Sequence, residues 1–217
     1  MQETEVKFHV RNLERIESRL LDLDAHLIQP RILETNIRFD LPDGGLRSEG
    51  RVLRLRQDTA ARLTYKGASK NEQGVLSRRE VEFVVEDFEK AKLFLEALGY
   101  RKLFHYEKYR TTYILESAGL PAVPQRQAAG SQICHIMLDE LPYGNFVEIE
   151  GDSIEALRDI AQKLDLKWDA AIATSYHALF ERLRAKHPQL DPAQISFAAL
   201  NGMNVTAGEL SVQAADG

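Results

Sequence analysis

Short segments in which charged and apolar residues alternate recur along the chain, and they constrain the fold more than any other feature. The opening run MQETEVKF places Glu3, Glu5 and Lys7 two residues apart, with Thr4 and Val6 between them and Phe8 directly after them. Because successive side chains of a β-strand point to opposite faces, one face of this strand is charged and the other is largely apolar. The segment therefore predicts a strand with one strongly charged face.

Five further segments repeat this alternation: RVLRLRQ, ARLTYKG, SRREVEF, EKYRTTY and FVEIEG. Their charged faces carry Arg54, Arg56, Arg62, Lys66, Arg78, Glu80, Glu82, Lys108, Arg110, Glu148 and Glu150, and Asp139 ends the preceding strand ICHIMLDE. The wet side of an ordinary sheet is also polar, and for one strand alone that is the simpler interpretation. Six faces built almost entirely from Glu, Lys and Arg favour a different one, in which the charged faces share an enclosed space.

Four amphipathic helices are predicted between and after these strands, in NLERIESRLLDLDA, DFEKAKLFLEALGY, GDSIEALRDIAQKLDL and DAAIATSYHALFERLRAKH. Asn12 and Asp87 are suited to cap the first two, and Gly99 to end the second. Each helix must bury an apolar stripe, and the apolar faces of the strands supply the surface. If the helices pack on the outside, the charged faces point into the interior. That interior is expected to contain water, because each unpaired ion in a dry interior would cost several kcal/mol.

The order of the elements repeats within the chain. A charged strand, a helix, a long strand and two further strands run from Glu3 to Lys66 and again from Arg78 to Glu150. Two such halves give about eight strands and indicate a pseudo-twofold sheet. Residues 188–217 contain no Lys or Arg and are rich in Ala, so they are expected to form a C-terminal tail, either an appendage or partly disordered.

Composition narrows the classes of protein that fit. A chain of 217 residues with 44% hydrophobic residues suits one domain whose core needs no disulfide or structural metal. The single cysteine, Cys134, indicates a reducing compartment, and the chain shows neither a secretory signal nor a long uncharged apolar window. We therefore expect a cytoplasmic protein without a membrane partner. A net charge of −5 argues against general nucleic-acid binding.

Acids and bases are segregated among the predicted strands. The acidic set comprises Glu3, Glu5, Asp139, Glu148 and Glu150, from strands at the two ends of the order. Clustered carboxylates repel one another unless a cation lies among them, and ligands that are all oxygen suit Mg²⁺ or Mn²⁺ and not zinc. The basic set comprises Arg54, Arg56, Lys66, Arg78, Lys108 and Arg110, and arginine side chains bind phosphate groups bidentately. Together the two sets predict a polyphosphate site.

The series E-x-E-x-K, LRLR, LTYKG, R-x-E-x-E, K-x-R and a late Asp before E-x-E resembles the CYTH superfamily, also called triphosphate tunnel metalloenzymes. The resemblance runs from Glu3 to about Glu150. It implies an α+β fold over residues 1–187, an eight-stranded antiparallel β-barrel that encloses a tunnel and has helices packed outside. Class IV adenylyl cyclases, thiamine triphosphatases and inorganic triphosphatases belong to this superfamily.

Matching positions carry over the roles that the resemblance implies. Glu3, Glu5, Asp139, Glu148 and Glu150 would bind one or two Mg²⁺ or Mn²⁺ ions. Lys7, Arg54, Arg56, Lys66, Arg78, Lys108 and Arg110 would bind the triphosphate. The candidate catalytic residues are Lys66, which would orient or deprotonate a nucleophile, and Glu80 and Glu82, which would tune neighbouring cations. For these two acids, a purely structural role in salt bridges is an equally good interpretation.

The segment ETNIRFD departs from a family segment that often reads TNxYFD. Arg38 stands where an aromatic residue is common. An arginine there weakens the case for stacking a thiazole or adenine ring, and it adds a phosphate contact if it faces inward. Tyr106, Tyr109 and Tyr113 are expected to pack beneath helices, although one of them could border the tunnel mouth.

Three functions stay open at this point. The favoured one is metal-dependent hydrolysis of inorganic triphosphate or of an organic triphosphate such as thiamine triphosphate. The alternative is a class IV adenylyl cyclase that makes cyclic AMP and pyrophosphate from ATP. A non-catalytic protein that binds polyphosphate or nucleotide is the third. The expected partner is a small-molecule triphosphate, not nucleic acid or a membrane, and a homodimer is left open.

Overall fold

Strands make up most of the fold, as the computed structural model describes it for residues 2–72, 75–117 and 132–217. Of Gln2, Glu3 and Glu72 it describes the backbone alone. The strands are β1 (Gln2–Val10), β2 (His26–Asp40), β3 (Val52–Gln57), β4 (Ala61–Lys66), β5 (Lys70–Glu72), β6 (Val75–Val85), β7 (Arg101–Glu116), β8 (Ile133–Leu141), β9 (Gly144–Glu150) and β10 (Gln194–Ile195). The α-helices are α1 (Leu13–Asp22), α2 (Gly45–Ser48), α3 (Phe88–Ala97), α4 (Ile154–Lys163) and α5 (Tyr176–Lys186), and a 3₁₀ turn covers Trp168–Ala170.

Eight of these strands close into an antiparallel ring. Their order is β1, β9, β8, β7, β2, β3, β4 and β6, and β6 pairs with β1 to complete the circle. The short strand β5 pairs with β6 beside the ring, and β10 adds to β7 in parallel. The predicted eight-stranded antiparallel barrel of an α+β protein is confirmed. Each half of the chain also supplies one strand, a helix and three strands, as the repeat predicted.

Many apolar side chains of the ring point outward, and helices cover three groups of them. Val6 and Phe8 of β1 and Ile149 of β9 share one core with Ile16 and Leu20 of α1, and α4 packs on the same core. Helix α5 covers a second core over β7, β8 and β9, and α3 covers a third over β2 and β3. This arrangement leaves the opposite, charged faces of the strands to the inside of the ring.

Two helix starts and one helix end follow the sequence signals. The Asn12 side chain accepts a hydrogen bond from the Arg15 N–H at 2.9 Å, and Asp87 accepts one from Lys90 at 3.0 Å. Gly99, just after α3, has φ +92°, a conformation that favours glycine. Each cap therefore satisfies backbone groups that the helix leaves open.

The last helix begins later than its hydrophobic pattern suggests. A helix from Asp169 was predicted, but α5 starts at Tyr176 and is capped by Ser175. The residues before it are bound to the barrel, since the Ile172 N–H donates to the Lys7 carbonyl at 2.8 Å. A tertiary hydrogen bond thus takes the place of a helical one in this stretch, and Tyr176 and His177 of the first turn of α5 line the barrel cavity.

The tail of residues 188–217 packs along the barrel wall. Leu190, Leu200 and Leu210 are buried in the core beneath α5. Near the chain end, the Asp216 carboxylate accepts hydrogen bonds from the Arg11 N–H at 2.9 Å and the Asn12 N–H at 3.0 Å. The leucines of this segment therefore share a hydrophobic core with the barrel and α5. Within the described residues, no helix is long and apolar enough to span a bilayer.

Candidate active site

The barrel encloses a cavity of about 670 Å³, lined by charged residues. The predicted site residues that line it are Glu5, Lys7, Arg54, Arg56, Lys66, Arg78, Glu80, Glu82, Lys108, Arg110, Glu148 and Glu150. They come from β1, β3, β4, β6, β7 and β9. The inward alternation of charged residues therefore brings together all but two of the predicted site residues, Glu3 and Asp139.

The acidic residues lie on two neighbouring strands. Glu5 of β1 is directly opposite Glu150 of β9, and Glu148 is opposite Lys7 in the same ladder. Like charges that face each other across an antiparallel pair are destabilising, and a cation between them removes the repulsion. Carboxylate oxygens are also the donors that Mg²⁺ and Mn²⁺ prefer. The carboxylates of β1 and β9, which form the acidic wall of the cavity, therefore offer the oxygen ligands that the predicted divalent cation requires.

Basic residues of the cavity currently engage these carboxylates. The Glu148 carboxylate lies 2.8 Å from Lys7 Nζ and also contacts Arg110, and Glu5 lies 3.2 Å from Arg78. Burial opposes ionisation of Glu148, but Lys7 and Arg110 hold its pKa well below the ordinary value. Over residues 2–72, 75–117 and 132–217, no three His, Cys, Asp or Glu side chains converge on one point. To coordinate a cation together, the carboxylates would have to turn from their basic partners.

The two remaining predicted ligands are placed differently. Glu3 stands opposite Arg78 in the β1–β6 ladder, and its side chain lies outside the described residues. Asp139 is fully buried behind the cavity wall and contacts Lys108 at 2.9 Å, Arg110 at 2.6 Å and the Tyr176 hydroxyl at 2.7 Å. These contacts make Asp139 the anchor of two phosphate-binding candidates, and its role as a metal ligand stays a prediction.

The candidate catalytic residues lie within ion pairs on β4 and β6. Lys66 Nζ is 2.9 Å from Glu80, its cross-strand neighbour. Glu82 accepts a hydrogen bond from the Thr64 hydroxyl at 2.7 Å and lies 3.1 Å from Arg56. The two acids therefore hold basic side chains in position, which is the structural role that the sequence left open. Whether they also act in catalysis stays a prediction.

Glu34 is a buried acid of the site that the sequence analysis missed. Its oxygens lie 3.6 Å from Arg56, 3.6 Å from Lys108 and 3.9 Å from Arg110. Burial opposes its ionisation, but Lys108, Arg110 and Arg56 lower its pKa from 4.5 to about 2. The sequence pattern that could have revealed Glu34 is the alternation in ILETNIRFD, which places Glu34, Asn36 and Arg38 on the same face of the strand.

We expect Glu34 to stabilise the fold at neutral pH and to lose this effect in acid. Because its pKa is depressed in the folded state, the contribution is complete above pH 4.5 and disappears as the pH falls through about 2. This difference in pKa corresponds to about 3 kcal/mol. Urea unfolding of the wild type and Glu34→Gln should differ by that amount at pH 7 and converge at low pH. Glu96→Gln, on the exposed side of α3, is the control, and a pH-independent difference would contradict the assignment.

The first turn of α5 completes one side of the cavity. Thr174, Ser175, Tyr176 and His177 line it, and Tyr106 of β7 lines it as well. The Lys7 ammonium lies 4.3 Å from the centre of the Tyr176 ring, a cation–π contact that helps to position it. Of the three strand tyrosines, Tyr106 is thus the one that faces inward. Residues 174–177 were missed because the predicted helix began earlier, at Asp169, and gave no sign that they line the cavity.

Comparison with known proteins identifies relatives in sequence and in structure. A family model described as "CYTH domain" matches residues 1–176. A candidate adenylate cyclase from Vibrio parahaemolyticus is 21% identical with a TM-score of 0.64, covering 82% of this chain and 97% of that one.

Two further structures have the same fold. A protein from Pyrococcus horikoshii OT3 is 22% identical with a TM-score of 0.63, over 85% of this chain and 99% of that chain. A candidate adenylyl cyclase from Hippeastrum, which has a dominant triphosphatase activity, is 17% identical with a TM-score of 0.55, over 82% and 95% of the two chains. At these identities the likeness concerns the fold. No curated protein matches the sequence.

Proposed function

Since the chain belongs to the CYTH domain family, we propose that it is a divalent-metal-dependent enzyme that acts on a triphosphate-containing substrate inside the barrel. The observation that carries the proposal is the convergence of eight Lys and Arg and five Glu side chains on one enclosed cavity. An excess of cations in a partly desolvated space favours a polyanion over a neutral ligand. A soluble triphosphate small enough to enter is the substrate class that this cavity suits.

The basic wall would bind and neutralise the phosphate chain. Arg54, Arg56, Lys108 and Arg110 come from two strands and present donors to the same space. Phosphoryl transfer is accelerated chiefly by positioning and by neutralising charge on the phosphoryl oxygens, and preorganised cations do both. Lys7 and Arg78 extend this wall toward the acidic residues, so they would bind the phosphate nearest to the cation.

The acidic wall would hold the cation. Glu5, Glu148 and Glu150 are the described candidates for binding Mg²⁺ or Mn²⁺, with Glu3 as a further predicted ligand. When bound, such an ion neutralises phosphoryl oxygens and lowers the pKa of water. Lys66, held by Glu80 at 2.9 Å, would donate a hydrogen bond that orients the attacking nucleophile.

Hydrolysis is the reaction that we favour, with inorganic triphosphate as the minimal substrate. Water attacks a terminal phosphorus atom in line with the bridging oxygen, the P–O bond to that oxygen breaks, and pyrophosphate and orthophosphate leave. The alternative is cyclisation, in which the 3′-hydroxyl of ATP attacks its own α-phosphorus and yields cyclic AMP and pyrophosphate. Two relatives in structure are candidate adenylyl cyclases, so this second reaction deserves a direct test.

Product analysis separates these functions. The purified chain is incubated with inorganic triphosphate, thiamine triphosphate or ATP, in the presence of Mg²⁺, Mn²⁺ or a chelator. We expect orthophosphate from triphosphate only when the cation is present. Cyclic AMP and pyrophosphate from ATP would instead identify a cyclase, and cation-dependent binding without products would identify a non-catalytic binding protein.

Replacing Arg56 by alanine should weaken triphosphate binding. The variant removes charged hydrogen bonds worth about 2 kcal/mol, which corresponds to a roughly 30-fold higher dissociation constant. Calorimetric titration with triphosphate measures the effect. Arg31→Ala is the control, because Arg31 pairs with Glu140 on the exposed exterior of the barrel. An unchanged dissociation constant for Arg56→Ala would exclude Arg56 from the phosphate site.

A further inference from the structure

Arg38 differs from every other basic side chain that lines the cavity. Lys7, Arg54, Arg56, Lys66, Arg78, Lys108 and Arg110 each have a carboxylate oxygen within 3.5 Å. Arg38 lines the same cavity, so it faces inward, yet it forms no ion pair with any described residue. It is therefore the cavity cation whose charge the protein leaves uncompensated in the part of the chain that is described.

The nearest acid on the same face of β2 is already committed. Asp40 accepts hydrogen bonds from the backbone N–H groups of Leu41 at 2.8 Å, Leu46 at 2.9 Å and Arg47 at 3.2 Å. These bonds hold the turn that leads into α2. The Asp40 carboxylate thus serves the backbone of its own connection and does not form an ion pair with Arg38.

The surroundings of Arg38 increase the cost of its charge. In the β2–β3 ladder it is directly opposite Arg54, and like charges in this position repel. Burial, together with Arg78 and Arg54, lowers the pKa of Arg38 below the ordinary value. A partly buried cation without a counter-ion is costly, and a bound anion would remove the cost.

Unused hydrogen-bonding atoms concentrate on the same wall. Among the described residues, buried side-chain atoms without a hydrogen-bond partner include Arg38 Nε, Arg54 Nε, Arg56 Nε, Glu34 Oε2 and both polar atoms of Asn36. All belong to β2 and β3, where Asn36 is opposite Arg56. Buried polar groups normally have partners, and the guanidinium Nε atoms of this wall are donors that an anionic ligand could engage.

Aromatic surface beside Arg38 is already covered. Phe104 of β7 is opposite Arg38, and the His177 ring stacks on it with centroids 4.1 Å apart and planes at 19°. Arg38 itself lies 5.3 Å from the Phe104 centroid. A nucleobase or thiazole would have to displace one of these neighbours to stack on Phe104. The position suits an anionic group better than an aromatic one.

We propose that Arg38 binds a terminal phosphate group and thereby makes the cavity selective for inorganic triphosphate over nucleoside triphosphates. This inference rests on the proposed function and names its substrate class. An inorganic chain ends in an anionic phosphate at both ends, so it can reach the acidic wall with one end and Arg38 with the other. In ATP one of these ends is an uncharged nucleoside, which leaves Arg38 without its counter-ion.

Binding measurements on Arg38 variants test the proposal. Calorimetry with inorganic triphosphate and with ATP is carried out in EDTA, so that no metal-dependent turnover consumes the ligand. Arg38→Gln should weaken triphosphate binding at least tenfold and ATP binding less than threefold. Arg38→Lys, which keeps the charge, should recover part of the triphosphate affinity. Arg31→Gln, outside the barrel, should change neither.

Thermal stability gives an independent readout. Because the charge of Arg38 has no protein partner among the described residues, Arg38→Gln should leave the melting temperature unchanged or raise it, while triphosphate affinity falls. A decrease of more than about 3 °C would mean that Arg38 supports the fold instead, and would overturn the proposal. Equal loss of triphosphate and ATP affinity, or no loss, would also overturn it. A wild type that binds neither ligand in EDTA would overturn this inference. A wild type that also neither binds nor converts either ligand in the presence of Mg²⁺ or Mn²⁺ would refute the proposed function as well.

Discussion

Replacing Glu148 by glutamine is expected to abolish metal-dependent turnover. Glu148 lines the acidic wall and is held by Lys7 at 2.8 Å and by Arg110, so it stands where the predicted cation and the phosphate-binding bases meet. The substitution removes one negative charge and keeps the side-chain volume. Loss of about 3 kcal/mol of charge stabilisation in the transition state corresponds to a decrease in rate of about 100-fold or more.

Two measurements separate a lost ligand from a damaged fold. Turnover is assayed across a range of Mg²⁺ and Mn²⁺ concentrations, and Mn²⁺ binding is followed without substrate by electron paramagnetic resonance. Glu140→Gln is the matched control, since Glu140 lies on the neighbouring strand and pairs with Arg31 outside the barrel. If Glu148→Gln kept near wild-type turnover and Mn²⁺ affinity, Glu148 would not be a ligand. Circular dichroism should show that both variants remain folded.

Asp139→Asn is expected to destabilise the protein by about 4 kcal/mol, because it removes one partner from a buried network of charges. Asp139 is fully buried and contacts Lys108, Arg110 and the hydroxyl group of Tyr176. Its loss leaves Lys108 with Glu34 at 3.6 Å as its remaining acid, and it leaves Arg110 with Glu148 and, at 3.9 Å, Glu34. The same change weakens the hydrogen bond that the Tyr176 hydroxyl donates to residue 139.

Denaturant unfolding at pH 7 measures this effect. Asp22→Asn, at the exposed end of α1, should change the free energy of unfolding by no more than about 0.5 kcal/mol. A small loss of stability for Asp139→Asn, combined with a large loss of Mn²⁺ affinity, would favour the role of Asp139 as a metal ligand. A large loss of stability with the Mn²⁺ affinity retained would assign it to positioning Lys108 and Arg110.

Local alternation was enough to predict most of the site. Glu5, Lys7, Arg54 and Arg56 could be assigned to a shared interior because the side-chain period of a strand is two residues and depends on nothing distant. The same period was present in β2, yet Glu34 was missed. One acid among Leu33, Thr35 and Asn36 does not form a charged row, and its significance depends on Lys108 and Arg110 from another strand.

The start of α5 and the packing of the C-terminal tail could not be predicted from local alternation. The pattern of α5 did not reveal that Ile172 is bound to β1, so the position of Tyr176 and His177 at the cavity could not be predicted. For residues 188–217, a composition without Lys or Arg left packing and disorder open. Burial of Leu200 and Leu210 against α5 depends on surfaces that are distant in sequence.

The sequence by itself determined which residues alternate, and hence a barrel with a charged interior and helices outside, because that periodicity is a local property of the backbone. Only the tertiary structure decided how the charges pair within that interior. Whether a cation such as Arg38 has a counter-ion depends on distances between strands that are far apart along the chain, and Coulomb interactions change steeply over those few ångströms in a partly desolvated space.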